Sequence, residues 1–193
     1  MDDLKGKTAI VTGASRGIGA ATARELAGLG VNVVLVARSE GEIAGIADEI
    51  NKAGGKAAAV ASDVARYEDV QTAVDTAVER FGGLDILVNN AGLIEPIAHL
   101  VESDPAAWDL VVDVNLKGVY HGLRAALPVM VGQGAGVVVN ISSGAAISAM
   151  EGWSHYCATK AAVLSLTRCA DKEVGDKGVR IVGLSPGTVA THM

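Results

Sequence analysis

The chain has 193 residues, half of them hydrophobic, with 16 Lys plus Arg against 22 Asp plus Glu and a net charge of −6. That is enough apolar material for one domain with its own core, and no basic run is present to bind nucleic acid or an anionic membrane surface. No apolar run reaches the roughly 18 residues of a membrane-spanning helix, and the acidic start Met1-Asp2-Asp3 does not read as a leader, so a cytoplasmic protein without nucleic-acid or membrane partners is expected.

In chain order, the first short apolar run, Thr8 to Val11, leads directly into Thr12-Gly13-Ala14-Ser15-Arg16-Gly17-Ile18-Gly19 and then a helical stretch from Ala20 to Leu29. Glycines between a strand and a helix let the backbone approach a pyrophosphate, and the free amides and dipole of the helix start attract its charge. Gly13, Ser15, Arg16, Gly17, Ile18 and Gly19 are therefore expected to hold a dinucleotide. The same residues also match the G-x-S-x-G elbow of hydrolases, but only one strand precedes Ser15 and the last histidine, His192, is two residues from the end of the sequence, so that reading is set aside. The second run, Val33 to Val36, ends in Ala37-Arg38. An enzyme using NAD normally has an acid there for the ribose 2′-hydroxyl; Arg38 with Arg16 suits a 2′-phosphate instead, which favours NADP(H) over NAD(H).

Further runs follow at Ala57 to Val60, Ile86 to Val88, Val137 to Val139 and Val179 to Val182, continuous rather than alternating, as strands covered on both faces should be. Between them Val70, Val74 and Val78 recur at helical spacing, Asp104-Pro105 reads as a helix cap with proline at the first position, and Leu116, Val119, Tyr120, Leu123 and Leu127 form a second stripe. Gly54-Gly55 and Gly134-Ala135-Gly136 mark turns. The alternation predicts an α/β fold, a doubly wound parallel sheet of six readable strands in one domain over 1–193, with its ligand crevice beyond the C-terminal strand ends. Tyr156 and Lys160, four residues apart, share one face of a helix running to about Val174, where the ammonium can lower the phenol's pKa. Cys157 and Cys169 read as packing residues, His155 as a bystander about 100° around the helix from Tyr156, and no histidine or cysteine has metal-ligand spacing.

Together, Thr12-Gly13-x-x-x-Gly17-x-Gly19, Asp63-Val64, Asn89-Asn90-Ala91-Gly92, Asn115, Ser143, Tyr156-x-x-x-Lys160 and Pro186-Gly187 give the chain a resemblance, from about Gly6 to Met193, to the classical short-chain dehydrogenases/reductases. The resemblance implies a Rossmann fold and hydride transfer between NADP(H) and a ketone, diketone or 3-oxoacyl carbonyl, with Tyr156 as general acid/base. It implies Lys160 on the nicotinamide ribose, Ser143 rather than Ser142 on the substrate oxygen, and Asn115 holding a water in a proton relay. Asp63, Val64, Asn89, Ala91, Gly92, Pro186, Gly187, Thr188, Val189 and Thr191 resemble further cofactor contacts, Asn89 with a more structural part. Ile94, Met150 and Trp153 are expected in the substrate wall. The segments around Gly92 and Tyr156 look most similar to sepiapterin and benzil reductases, and 3-oxoacyl carrier-protein reductases share many of the motifs. The resemblance further implies a homodimer or homotetramer through the helices bearing Leu116 to Leu127 and Tyr156 to Leu166. The family's substrate-covering loop and last parallel strand are absent from this sequence, so a cofactor-binding module impaired in turnover is the alternative expectation.

Overall fold

Strands β1 (Thr8–Thr12), β2 (Asn32–Ala37), β3 (Lys56–Ala61), β4 (Ile86–Asn89), β5 (Gly136–Ile141) and β6 (Val179–Leu184) form one parallel sheet in the order 3-2-1-4-5-6 in a computed structural model that describes residues 2–189. Each of the six apolar runs expected from the sequence lies within one of these strands. The register sets Val11 of β1 between Leu35 of β2 and Val88 of β4. Strand order reverses at β1, because the chain moves outward through β2 and β3 and then returns to β1's other side as β4. Connections leaving that point diverge to opposite sides, and the gap beyond the strand ends is where a doubly wound sheet receives its ligand.

The crossovers are α1 (Gly17–Gly28), α2 (Glu40–Lys52), α3 (Tyr67–Phe81), α4 (Pro105–Val112), α5 (Gly118–Gln133) and α6 (Ser154–Val174). One core lies where α1 and α2 meet the sheet, with Ala23, Ile43, Ile46 and Ile50 packed against Val11, Val33 and Leu35. The other joins Val70 and Val74 of α3, Leu123 and Met130 of α5 and Val163 of α6 to Ile10, Leu87 and Val138. On the α1/α2 side, no described element covers β5 and β6, and Val137, Val182 and Leu184 are exposed at 40%, 47% and 51%. Among the described residues no helix is long and apolar enough to cross a membrane.

Asp104 caps α4 as its spacing predicts, Oδ1 accepting from Ala106 N at 3.2 Å. A buried polar chain ties the second core together: Asn89 Nδ2 donates to Asn140 Oδ1 (2.9 Å), Asn140 Nδ2 to Thr167 Oγ1 (2.9 Å), and Thr167 Oγ1 to Val163 O (2.7 Å). This fixes β4, β5 and α6, the three elements whose upper ends carry the expected chemistry, to one another.

Candidate active site

The crevice above the strand ends holds about 900 Å³ and runs from Arg38 and Ser39 at one end to Met150 and Trp153 at the other. Its middle is built by the glycine loop. Gly13 and Gly17 take positive φ, +65° and +54°, and a Cβ on Gly13 would press within 2.9 Å of the Ala91 backbone while one on Gly19 would strike Gly13 O. Gly19 therefore acts from behind the loop, packing it closely rather than lining the crevice. The loop is held from below: Asn90 Nδ2 donates to Thr12 O (2.9 Å) and Gly13 O (3.3 Å), and Thr12 Oγ1 accepts from the amides of Asn90 and Ala91, each at 3.0 Å. No side chain caps α1, so the amides of its first turn face the crevice with their dipole unanswered. Asn90→Ala, which strips two backbone carbonyls of their donor, is expected to destabilise the protein by about 2 kcal/mol and lower its Tm by several degrees in a thermal melt.

Arg16 and Arg38 are exposed on the crevice, and among the described residues neither forms an ion pair; the acids on its lining are Glu42 and Asp63. Asp63 and Val64 also line it, held by their own contacts. Asp63 Oδ1 accepts from Ala65 N (3.0 Å), and His121 Nδ1–H donates to Val64 O (2.8 Å). Asn89 does not reach the crevice: it is 3% exposed and spent on Asn140, a brace rather than a contact. Ala91, Gly92 and the Pro186–Val189 stretch line the crevice, while Thr191 lies outside the described residues.

Ser143 follows β5 and caps a short 3-10 turn, its Oγ accepting from Ala145 N at 3.2 Å, which leaves the hydroxyl hydrogen to donate. Tyr156 and Lys160 stand in the first turns of α6, 7% and 4% exposed, and all three line the crevice. Lys160 Nζ donates to Ile141 O at 2.8 Å and lies 5.6 Å from the centre of the Tyr156 ring. Burial pulls Lys160 down from 10.5 to about 8. The sequence predicts a phenol lowered by this lysine; the protein's own groups give the reverse, since burial pushes Tyr156 up from 10.0 and the Ser143 hydroxyl beside it only partly opposes that. Ser142 shares the lining, and its backbone amide donates to Leu184 O at 2.7 Å.

Asn115 sits in a widened π turn, Asp113–Lys117, between α4 and α5, where Gly118 N bonds back to Asp113 O. Its side chain is fully exposed to protein and not to water: Oδ1 accepts from Leu93 N (2.7 Å), and Nδ2 donates to Leu93 O (2.8 Å) and Thr159 Oγ1 (3.3 Å). One amide hydrogen thus goes to the Leu93 backbone and the other to Thr159, so the side chain fastens the crevice wall to α6.

Ile94, Met150 and Trp153 line the substrate end as expected, joined by Leu93, which the sequence reading missed. Trp153 meets Tyr156 edge to face, ring centres 5.7 Å apart and planes at 85°. His155 is no bystander: 2% exposed, its Nε2–H donates to Ile94 O at 2.7 Å and ties this wall to the first turn of α6. A helical wheel shows that His155 points away from Tyr156 but not which distant backbone it meets. Asn90, Thr12 and Thr159 were also missed as supports. Their signal lay in the Asn89-Asn90-Ala91-Gly92 and Tyr156-x-x-x-Lys160 strings, read only for the residues that face the crevice.

The chain matches the family model described as short chain dehydrogenase over residues 7–193. It is 43% identical over 192 residues to 3beta-hydroxysteroid dehydrogenase 1 of Eggerthella lenta, covering 98% of this chain and 73% of that protein. It is 37% identical over 188 residues to a 3-oxoacyl-[acyl-carrier-protein] reductase of Staphylococcus aureus, covering 97% and 76%. A crystal structure of a metagenomic short-chain oxidoreductase in complex with NADP superposes with a TM-score of 0.90 at 38% identity, covering 96% of this chain and 84% of that one. A sheet of order 3-2-1-4-5-6, a glycine loop at its switch point and a Ser-Tyr-Lys set above it are what such matches over nearly the whole chain lead one to expect, and the chain belongs to the short-chain dehydrogenase family of oxidoreductases.

Proposed function

We propose that this enzyme reduces a ketone, diketone or 3-oxoacyl carbonyl to an alcohol using NADPH, with Tyr156 as the proton donor. The observation that carries this reading is a buried phenol and a serine hydroxyl opening on the same crevice that holds an uncapped glycine-rich helix start and two arginines without an ion pair among the described residues. The residues present fit the cofactor: Gly13 and Gly17 leave room for a pyrophosphate, the α1 amides attract it, and Arg16 and Arg38 match the extra charge of a 2′-phosphate. The NADP complex of the metagenomic relative supports the same assignment. NADPH, when bound, supplies the hydride.

The chain's own residues then handle the oxygen. Ser143, its acceptor position occupied by Ala145 N, donates its hydrogen to the carbonyl oxygen. Tyr156 donates to the same oxygen, and two donors aimed at one point stabilise the negative charge that grows there as the carbon is reduced. The phenol, pushed up from 10.0 by burial, holds its proton at neutral pH, which suits an acid in the reducing direction. Lys160, behind the ring, supplies positive charge as the phenol gives up its proton. Subunits pair through α5 and α6, whose neighbourhood leaves Tyr120 48% exposed.

The test is NADPH oxidation against diketones, quinones and 3-oxoacyl thioesters, for the parent chain and for Arg38→Glu. Turnover with at least one class is expected, with the KM for NADPH raised about 100-fold in the variant and that for NADH changed little, because only the 2′-phosphate meets the reversed charge. NADPH bound tightly but consumed with none of them would point to the cofactor-binding module instead.

A further inference from the structure

We propose, resting on the reductase reading above, that the site selects neutral carbonyl compounds with an apolar body and rejects those carrying a carboxylate, a phosphate or an acidic protein carrier. Two stretches frame the substrate end, 93–104 and 144–154. The side chains they turn to the crevice are Leu93, Ile94, Ala145, Met150 and Trp153, with the hydroxyl of Ser148 the polar group among them, and Ile97 and Ile147 continue the apolar surface outward, exposed at 50% and 83%. Such a wall rewards apolar area and gives an ionised group no cation to pair with.

Charge on the same frame is of one sign. The two stretches contain Glu95, Glu102, Asp104 and Glu151, and no lysine or arginine. Glu95 and Glu151 directly follow Ile94 and Met150 of the wall, and both are exposed. The basic side chain of the frame, His99, is taken by Glu151 at 3.2 Å. The crevice's cations do not compensate. Lys160 is buried and donates to Ile141 O behind the Tyr156 ring, and Arg16 and Arg38 stand at the opposite end.

The frame is fastened as well as charged. His155 Nε2–H holds Ile94 O at 2.7 Å, and Ala98 N donates to Gly152 O at 3.1 Å, so the two stretches and their carboxylates are held together at the mouth. An anionic substrate therefore meets like charges on approach and an apolar wall on arrival, and both effects spare its neutral analogue. The relative named for an acyl-carrier-protein substrate thus differs from this chain in what it is expected to accept.

The test compares ethyl benzoylformate with benzoylformate, one keto group with and without an adjacent charge. At low salt kcat/KM is expected to favour the ester by about 30-fold or more, and the ratio to contract in 0.5 M salt, where screening falls to a few ångströms. Glu151→Gln should shrink the ratio about threefold and Glu151→Lys about tenfold, with turnover of the ester held within twofold. A ratio near one overturns the proposal, and a large ratio that neither variant nor salt moves overturns the part given to the rim charges. Calorimetric binding of both compounds to the NADP-loaded protein reads the same preference without turnover: tighter binding of the ester upholds it and equal binding overturns it. Failure of reduction alone then counts against the reductase reading and not against the selectivity.

Discussion

Tyr156→Phe is expected to lower kcat for carbonyl reduction about 10³-fold while leaving the KM for NADPH within threefold of its parent value. The substitution removes one oxygen and nothing else of the packing: the ring stays buried and keeps its edge-to-face contact with Trp153. What is lost is the proton donor on the substrate oxygen, and positioned proton transfer is worth about 10² to 10⁴ in rate, with the second donor to a developing oxyanion lost alongside it. Ser143 and the bound cofactor remain, which accounts for the residual activity. Steady-state kinetics with varied NADPH separates the two effects, and a thermal melt within about 2 °C of the parent shows that the fold is untouched. Undiminished turnover would remove Tyr156 from the mechanism.

The parts of this enzyme that were legible in its sequence are those in which one residue type solves one local problem. Continuous apolar runs mark strands covered by helices, and all six lie inside the observed strands. The Thr12-to-Gly19 stretch marks a strand-turn-helix junction because glycine is the residue that readily takes the +65° and +54° of Gly13 and Gly17, and at Gly13 a Cβ would also press on the Ala91 backbone. Helix α2 was legible too, since Ile43, Ile46, Ala47 and Ile50 carry a stripe at helical spacing that lies buried against β2. The π turn at Asp113–Lys117 was out of reach, since one extra residue in a helical turn changes no composition or period that a short window detects.

Side-chain roles failed where a partner is remote in sequence. Asn115 meets Leu93, His155 meets Ile94 and Asn89 meets Asn140, separations of 22, 61 and 51 residues. Asn115 and His155 clamp the backbone of the crevice wall, and Asn89, for which the resemblance implies a more structural part, braces β4 against β5. The crevice-facing set of Ser143, Tyr156 and Lys160 was recovered because spacing along one helix and a motif order suffice to bring them together. The clamps depend on the closed fold, which no local pattern contains.

Lys160→Met is expected to make the protein more stable at neutral pH and nearly inactive. The ammonium is 4% exposed and has one neutral partner, Ile141 O, so burial holds it at about 8 against 10.5 in the open chain. At about 1.4 kcal/mol per unit, folding the charged form costs about 3 kcal/mol. Below pH 8 both states hold the proton and that cost is present in full. Between about 8 and 10.5 the unfolded chain binds more protons than the folded one, so the parent's stability rises with pH across this window. Tyr156 acts oppositely above about 10, where the unfolded phenol ionises first and the folded one keeps its proton. Methionine removes the cost while leaving Ile141 O without its donor, worth about 1 kcal/mol, so a net gain of about 2 kcal/mol is expected at pH 7, a Tm several degrees higher, fading as the pH nears 10. Activity should fall about 10²- to 10³-fold at the same time, because the phenol must shed its proton with no cation behind it. Melts from pH 6 to 10 beside kinetics at pH 7 check both halves. A variant that is stabilised yet fully active would mean that the buried charge is structural happenstance, whereas stability bought back only by losing turnover identifies Lys160 as a group the fold keeps at a loss for the sake of its chemistry.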